Sequence, residues 1–234
     1  NQSEVQAEDM PDMSGFFGNN TVEVPEEFVF INSILFLMTT TDKKGENTKM
    51  KMKMHFPDED DYFGMEITEM SNAGQGMPTN SIIIFDNRNQ QMITMVDNQG
   101  QKMGIAMKMD EETMNKYSDK NDGEENENVN WEKTGKTKDI LGYTCEQYIV
   151  NSEEGNGEFW MSDQDDLDIG NALNRMANSQ PDNDNVDYPE GAMLEMNYKM
   201  KDGSTMIWEA IEIEIGKTHS IKTTGYQFMS LGQK

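Results

Sequence analysis

Trp131 to Ser162 reads WEKTGKTKDILGYTCEQYIVNSEEGNGEFWMS, and this stretch decides the fold class. Ile140 to Val150 is rich in aromatic and β-branched residues, the composition of a strand. Glu153-Glu154-Gly155-Asn156-Gly157 supplies positive-φ positions for a turn. Glu158-Phe159-Trp160-Met161 then returns as the partner strand. Alternation sends Tyr143, Cys145 and Gln147 to one side and Thr144, Glu146 and Tyr148 to the other. No residue of this hairpin is an evident catalyst.

Upstream, the same grammar repeats. Phe28 to Met38, FVFINSILFLM, is apolar on nearly both faces and reads as one long strand covered on both sides. After a turn at Asp42 to Glu46, Lys49 to Phe56 alternates without a fault. Met50, Met52, Met54 and Phe56 take one face, and Lys49, Lys51, Lys53 and His55 take the solvent face. Tyr62 to Met70 is a strand. Ser81 to Phe85, Gln90 to Val96 and Gln101 to Met109 are joined by short turns and form an antiparallel meander. In the last of these, Met103, Ile105, Met107 and Met109 share a face. Residues 1 to 24 read as a flexible polar tail, and the rest, 25 to 234, as one β domain. An acidic stretch almost without apolar residues, near 118 to 130, reads as a disordered loop.

Downstream, Asp165 to Ser179 is the best helix: Ile169, Ala172, Leu173 and Met176 form a single apolar stripe. Met193 to Lys201 and Thr205 to Ile215 are strands joined by Asp202-Gly203. In the second, the apolar side switches near Glu209-Ala210, which predicts a bulge. Ser220 to Leu231 closes the chain as an edge strand.

Composition excludes several classes. The chain has 234 residues and a formal charge of −25, from 44 acidic and 19 basic side chains. Such a charge repels phosphates, so no nucleic-acid partner is expected. No run approaches the ~18 apolar residues of a membrane span. The polar start without Met reads as a mature or trimmed form, with a signal peptide removed. The lone Cys145 forbids an internal disulfide and, lying in a strand, reads as a buried, inert thiol.

Motif chemistry is sparse. Gly135-Lys136-Thr137 imitates the end of a phosphate loop, but Asn130 stands where the earlier glycine is required. The acidic loop at Asp182 places Val186 and Asp187 at the fifth and sixth EF-hand positions, so it fails as a calcium loop and reads as solvated. With two histidines and one cysteine, no zinc or nucleophile motif occurs. No enzyme activity, cofactor or metal is read from the sequence. The 22 methionines are the anomaly. They fill a core, line an adaptable apolar cavity, or handle a soft metal such as Cu(I) through their thioethers.

The run Gly135 to Tyr148, GKTKDILGYTCEQY, resembles the G-K-x-x-x-I-x-G-Y-x-C-x-x-Y core of an uncharacterised envelope-protein family. That family is common in Bacteroidetes and is grouped with the lipoprotein carriers LolA and LolB. Tyr62-Phe63-Gly64-Met65, Ile84-Phe85-Asp86 and Thr224-Gly225-Tyr226-Gln227-Phe228-Met229 extend the likeness over residues 26 to 231. The resemblance implies a mainly β (α+β) fold: a curved antiparallel open half-barrel with a short helical cover, LolA-like, with an apolar cavity on its concave face. No functional residue of the carriers is matched, and none is transferred.

The combined expectation is a non-enzymatic protein of the periplasm or cell envelope, binding a lipid, another apolar molecule or a lipoprotein partner. The lining expected is Met50, Met52, Met54, Phe56, Met103, Ile105, Met107, Met109, Leu194, Met196, Tyr198 and Met200, faced by Leu173 and Met176 from the helix. The alternatives are a methionine-based Cu(I) or oxidant-buffering protein and a purely structural module.

Overall fold

Alternating apolar residues over short runs, punctuated by Gly, Asn and Asp, leave the chain little choice but strands. The computed structural model describes residues 22–58, 62–71, 80–98, 100–109, 130–164, 167, 189 and 191–231. In chain order these form β1 (Glu27–Phe30), β2 (Asn32–Thr41), β3 (Asn47–Phe56), β4 (Tyr62–Met70), β5 (Ser81–Asp86), β6 (Gln91–Asn98) and β7 (Gln101–Lys108). They continue as β8 (Asn130–Ile140), β9 (Tyr143–Asn151), β10 (Gly155–Ser162), β11 (Ala192–Met200), β12 (Thr205–Glu214), β13 (His219–Lys222) and β14 (Gln227–Leu231).

Twelve strands make one large curved sheet in the order β14-β7-β6-β5-β4-β3-β2-β12-β11-β10-β9-β8, and β1 pairs with β13 in a separate two-stranded sheet. All pairings are antiparallel except β14 on β7. The protein is mainly β. The helix expected over 165 to 179, the loop near 118 to 130 and most of the tail lie outside the described residues. Leu167 is described, and it is fully buried.

Three strand readings are corrected. Phe28 to Met38 is two strands, because the chain breaks at Ile31, whose N–H donates to the Phe56 carbonyl at 2.9 Å. Phe28 and Phe30 then serve one core, and Ile34 and Phe36 serve another, so the run was apolar on both faces for two different reasons. Ile140 to Val150 is not continuous either. Leu141 (φ 54°) and Gly142 (φ 91°) turn β8 into β9, and two successive positive-φ residues are the twist-matched two-residue hairpin connection. Ser220 to Leu231 likewise divides into β13 and the edge strand β14. The bulge expected near Ala210 is present: the β12–β2 register shifts between Ala210 and Glu212.

Two apolar clusters lie on opposite faces of the large sheet. One gathers Ile34, Phe36, Met52, Met54, Phe56, Phe63, Leu167 and Leu194. The other gathers Ile84, Ile93, Met95 and Ala106 beneath Phe28, Phe30 and Ile221 of the two-stranded sheet. Each fully buried Phe, Ile or Met contributes about 1.5–3 kcal/mol relative to exposure. At the sheet edge Phe228 lies so close over Gly104 that a Cβ there would stand 2.3 Å from the ring, so any other residue would force the ring to move.

Phe30 joins the two sheets: it is wholly buried, with its ring centroid 5.4 Å from Tyr62 and 5.3 Å from His55. Phe30→Ala is expected to destabilise the protein by about 3–5 kcal/mol, as read from urea unfolding. A loss under ~1 kcal/mol would mean that the two-stranded sheet is not packed this way.

Candidate functional site

The methionine face of the sheet can be followed strand by strand. Met54 and Met52 oppose Met65 and Ile67. Met65 and Phe63 oppose Ile83 and Phe85, which oppose Thr94 and Met92. Those in turn oppose Ile105 and Met107. In the other direction, Met54, Met52 and Met50 oppose Ile34, Phe36 and Met38. Phe36 and Met38 oppose Ala210 and Trp208, and Trp208 and Met206 oppose Met196 and Tyr198. The residues expected as a lining on β3, β7 and β11 therefore share one face.

Their coverage differs along that face. Met52, Met54, Phe56 and Leu194 are buried. Met50, Ile105, Met107, Met109, Met196, Tyr198 and Met200 are half-buried. Met103 is 48% exposed, and Met229 of β14, in line with Ile105, is 36% exposed. Leu173 and Met176 lie outside the described residues. The middle of the sheet is thus solid core, and the β6–β7–β14 end carries an apolar face open to solvent. The opposite face of these same strands is closed: Ile93, Met95 and Ala106 are wholly buried.

One polar group on the methionine face was not foreseen. Trp208 packs at 5.8 Å on Phe36, and its indole N–H is buried without a hydrogen-bond partner among the described residues. A buried donor of this kind costs about 1–3 kcal/mol unless something accepts from it.

The opposite face carries a ladder of charge. Lys51 pairs with Glu69 at 2.9 Å, and Lys53 pairs with Glu214 at 2.6 Å. Lys217 also bonds Glu214, and these two lysines, Lys217 first, hold its carboxyl down at about 2. The ladder ends at His55. Alternation puts this residue on the lysine side, as expected, but solvent does not reach it, which corrects the sequence reading. The two-stranded sheet covers it, with Phe30 on one side and the His219 ring stacked at 4.6 Å and 9° on the other. His55 Nε2 lies 3.1 Å from the Glu66 carboxylate. That hydrogen bond lowers the Glu66 pKa, while burial, and then the neighbouring His55, lower that of His219. The two histidines of the chain thus meet, although 164 positions apart in numbering, His55 and His219, and no local motif signals it.

A family model described as "Domain of unknown function (DUF4412)" matches residues 34–214. No curated protein matches the chain. Among solved structures, the fold is similar to PNGF-II, with a TM-score of 0.40 and 12% identity over 86% of this chain. The chain spans 31% of the PNGF-II chain. It is similar to a LolA superfamily protein from Nitrosomonas europaea, with a TM-score of 0.33 and 8% identity over 82% of this chain and 87% of that one. It is also similar to MucB, solved in complex with MucA(peri), with a TM-score of 0.35 and 9% identity over 82% and 50%. Likeness at these scores does not extend to function.

Cys145 is wholly buried, and burial pushes its thiol up from 9.0 to about 11, against a weaker opposing pull from Lys138. A thiol whose pKa is raised on folding stabilises the folded state fully below its unfolded pKa and ceases to do so as pH rises through the folded value. Stability should therefore fall between about pH 9 and pH 11, and Cys145→Ala should remove that part of the decline in urea titrations. Native labelling by a thiol reagent should be slow and should track unfolding. Rapid stoichiometric labelling at pH 7 would contradict the buried position.

Proposed function

This chain belongs to the DUF4412 family, and we propose that it is a non-enzymatic cell-envelope protein that holds an acyl chain or similar apolar ligand on its methionine face. The observation that carries this reading is the contrast between the two sides of β6 and β7. One side is buried at Ile93, Met95, Gly104 and Ala106, whereas the other presents Met92, Val96, Met103, Ile105 and Met107 half-buried or exposed. Exposed apolar side chains on one continuous face are costly in water and are ordinarily kept for a partner or ligand. Methionine suits an acyl chain, being unbranched, polarizable and able to re-pack around a ligand of variable shape.

The reading rests on burial of apolar surface, at roughly 25 cal/mol per Å² removed from water, rather than on catalysis. The sequence resemblance to an envelope-protein family supports the placement in the cell envelope. Among the described residues no helix is long and apolar enough to cross a membrane.

An apolar fluorophore should bind the folded protein near one-to-one and be displaced by fatty acids or phospholipids. Met107→Asp should weaken binding at least about tenfold while costing less than ~1 kcal/mol of stability, because the site is half-open. Met52→Asp, in the solid core, should instead destabilise by about 3 kcal/mol or more. Lys51→Asp should change neither greatly. Binding unaffected by Met107→Asp, or no fluorophore binding at all, would leave a structural module as the better reading. Copper co-purifying in stoichiometric amount would favour a thioether metal site.

A further inference from the structure

We propose that His55, Glu66 and His219 bind one divalent transition-metal ion of the Zn2+ class, which clips β13 onto the large sheet. The donor set comes from three separate strands. His55 lies on β3, Glu66 on β4, and His219 on the two-stranded sheet that covers them. One ligand atom from each residue lies within 4.8 Å of the others. Two imidazoles and one carboxylate are the nitrogen and oxygen donors that Zn2+ accepts with three protein ligands and a water in the fourth position. The exposed His219 leaves room for that water.

The geometry is close to what such an ion needs. Bonds of about 2.0–2.2 Å in a tetrahedron place ligand atoms ~3.3–3.5 Å apart. His55 Nε2 and the Glu66 carboxylate stand at 3.1 Å, so that edge is already formed. The His219 ring must tilt off His55, since the in-plane lone pairs of parallel stacked rings do not converge. His219 can make this move because it is exposed. The surrounding charge is balanced: Lys53 stands near Glu66 and His219 but is itself paired to Glu214. Hard cations are not favoured, because Ca2+ seeks six to eight oxygens and this cluster offers one carboxylate.

The consequence is mechanical. Through His219 the ion would tie β13, and through the β1–β13 pairing also Glu27 to Phe30, to the centre of the large sheet. The apolar packing of Phe28, Phe30 and Ile221 would then be reinforced by coordination bonds at one edge.

The test uses untagged full-length protein stripped with a chelator. Because the chain has two histidines, imidazole-labelled protein gives two ring signals, one for each residue. One equivalent of Zn2+ should move both signals and raise the melting temperature. It should also slow amide exchange over 27–30 and 219–222. Calorimetry should give a stoichiometry of one. His219→Ala and Glu66→Gln should weaken Zn2+ at least tenfold with an unchanged circular dichroism spectrum. Glu212→Gln, a neighbouring acid outside the cluster, should not. Unmoved histidine signals, wild-type affinity in His219→Ala, or displacement of Zn2+ by equal Ca2+ would each overturn the proposal and assign binding to the acidic surface.

Discussion

The packing of the β1–β13 pair on Ile84, Ile93, Met95 and Ala106 is the contact on which the other features depend. A large antiparallel sheet has two faces, and its alternation must find cover for any apolar side chain on either. Here the short two-stranded sheet closes one face over β4 to β7 with Phe28, Phe30 and Ile221. With that side sealed, the strands hold their shape without needing cover on the other. The methionine side of β6 and β7 is therefore free to remain open. The same cover removes His55 from water and brings His219 against it, so the metal-ligand cluster is a by-product of the seal.

Much of this was legible in the residues, and the limit of legibility has a physical form. Lys49 to Phe56 alternates so regularly that its register, with Met52 and Met54 inside, follows from period two alone. Period two assigns a residue to a face but does not say what lies over that face. Hence His55 was placed on the lysine side correctly and in solvent wrongly. Phe28 to Met38 failed for a related reason. A strand covered on both sides and two strands serving different cores produce the same apolar run. Only the Ile31-to-Phe56 hydrogen bond, a contact distant in sequence, distinguishes them. At Leu141-Gly142 the error was local: strand-like neighbours hid the turn, and leucine at positive φ gives no signal of one.

The apparent excess of methionine has two explanations in one molecule. Met52, Met54 and Met95 are core, filling space between branched and aromatic neighbours. Met103 and Met229 sit on the open end of the methionine face and contribute little to a packed interior. Composition counts these residues together, and alternation puts Met52 and Met103 in the same set. Their separation depends on the position of each strand in the sheet order: β3 is central, whereas β7 lies next to the edge strand β14.

At the open end β14 pairs with β7 in parallel. An unpaired strand edge beside apolar side chains invites pairing with another copy of the chain. Placing β14 on β7 consumes the backbone donors and acceptors of β7, with Phe228 locked over Gly104 on the sealed face. The side chains on the other face keep their exposure while the β7 backbone beneath them is paired, and the unpaired edge passes to β14. A ligand with no backbone, such as an acyl chain, can use that arrangement, whereas an added peptide strand gains nothing from β7 itself. The charge of −25 acts in the same direction, since two such chains repel before their apolar faces can meet.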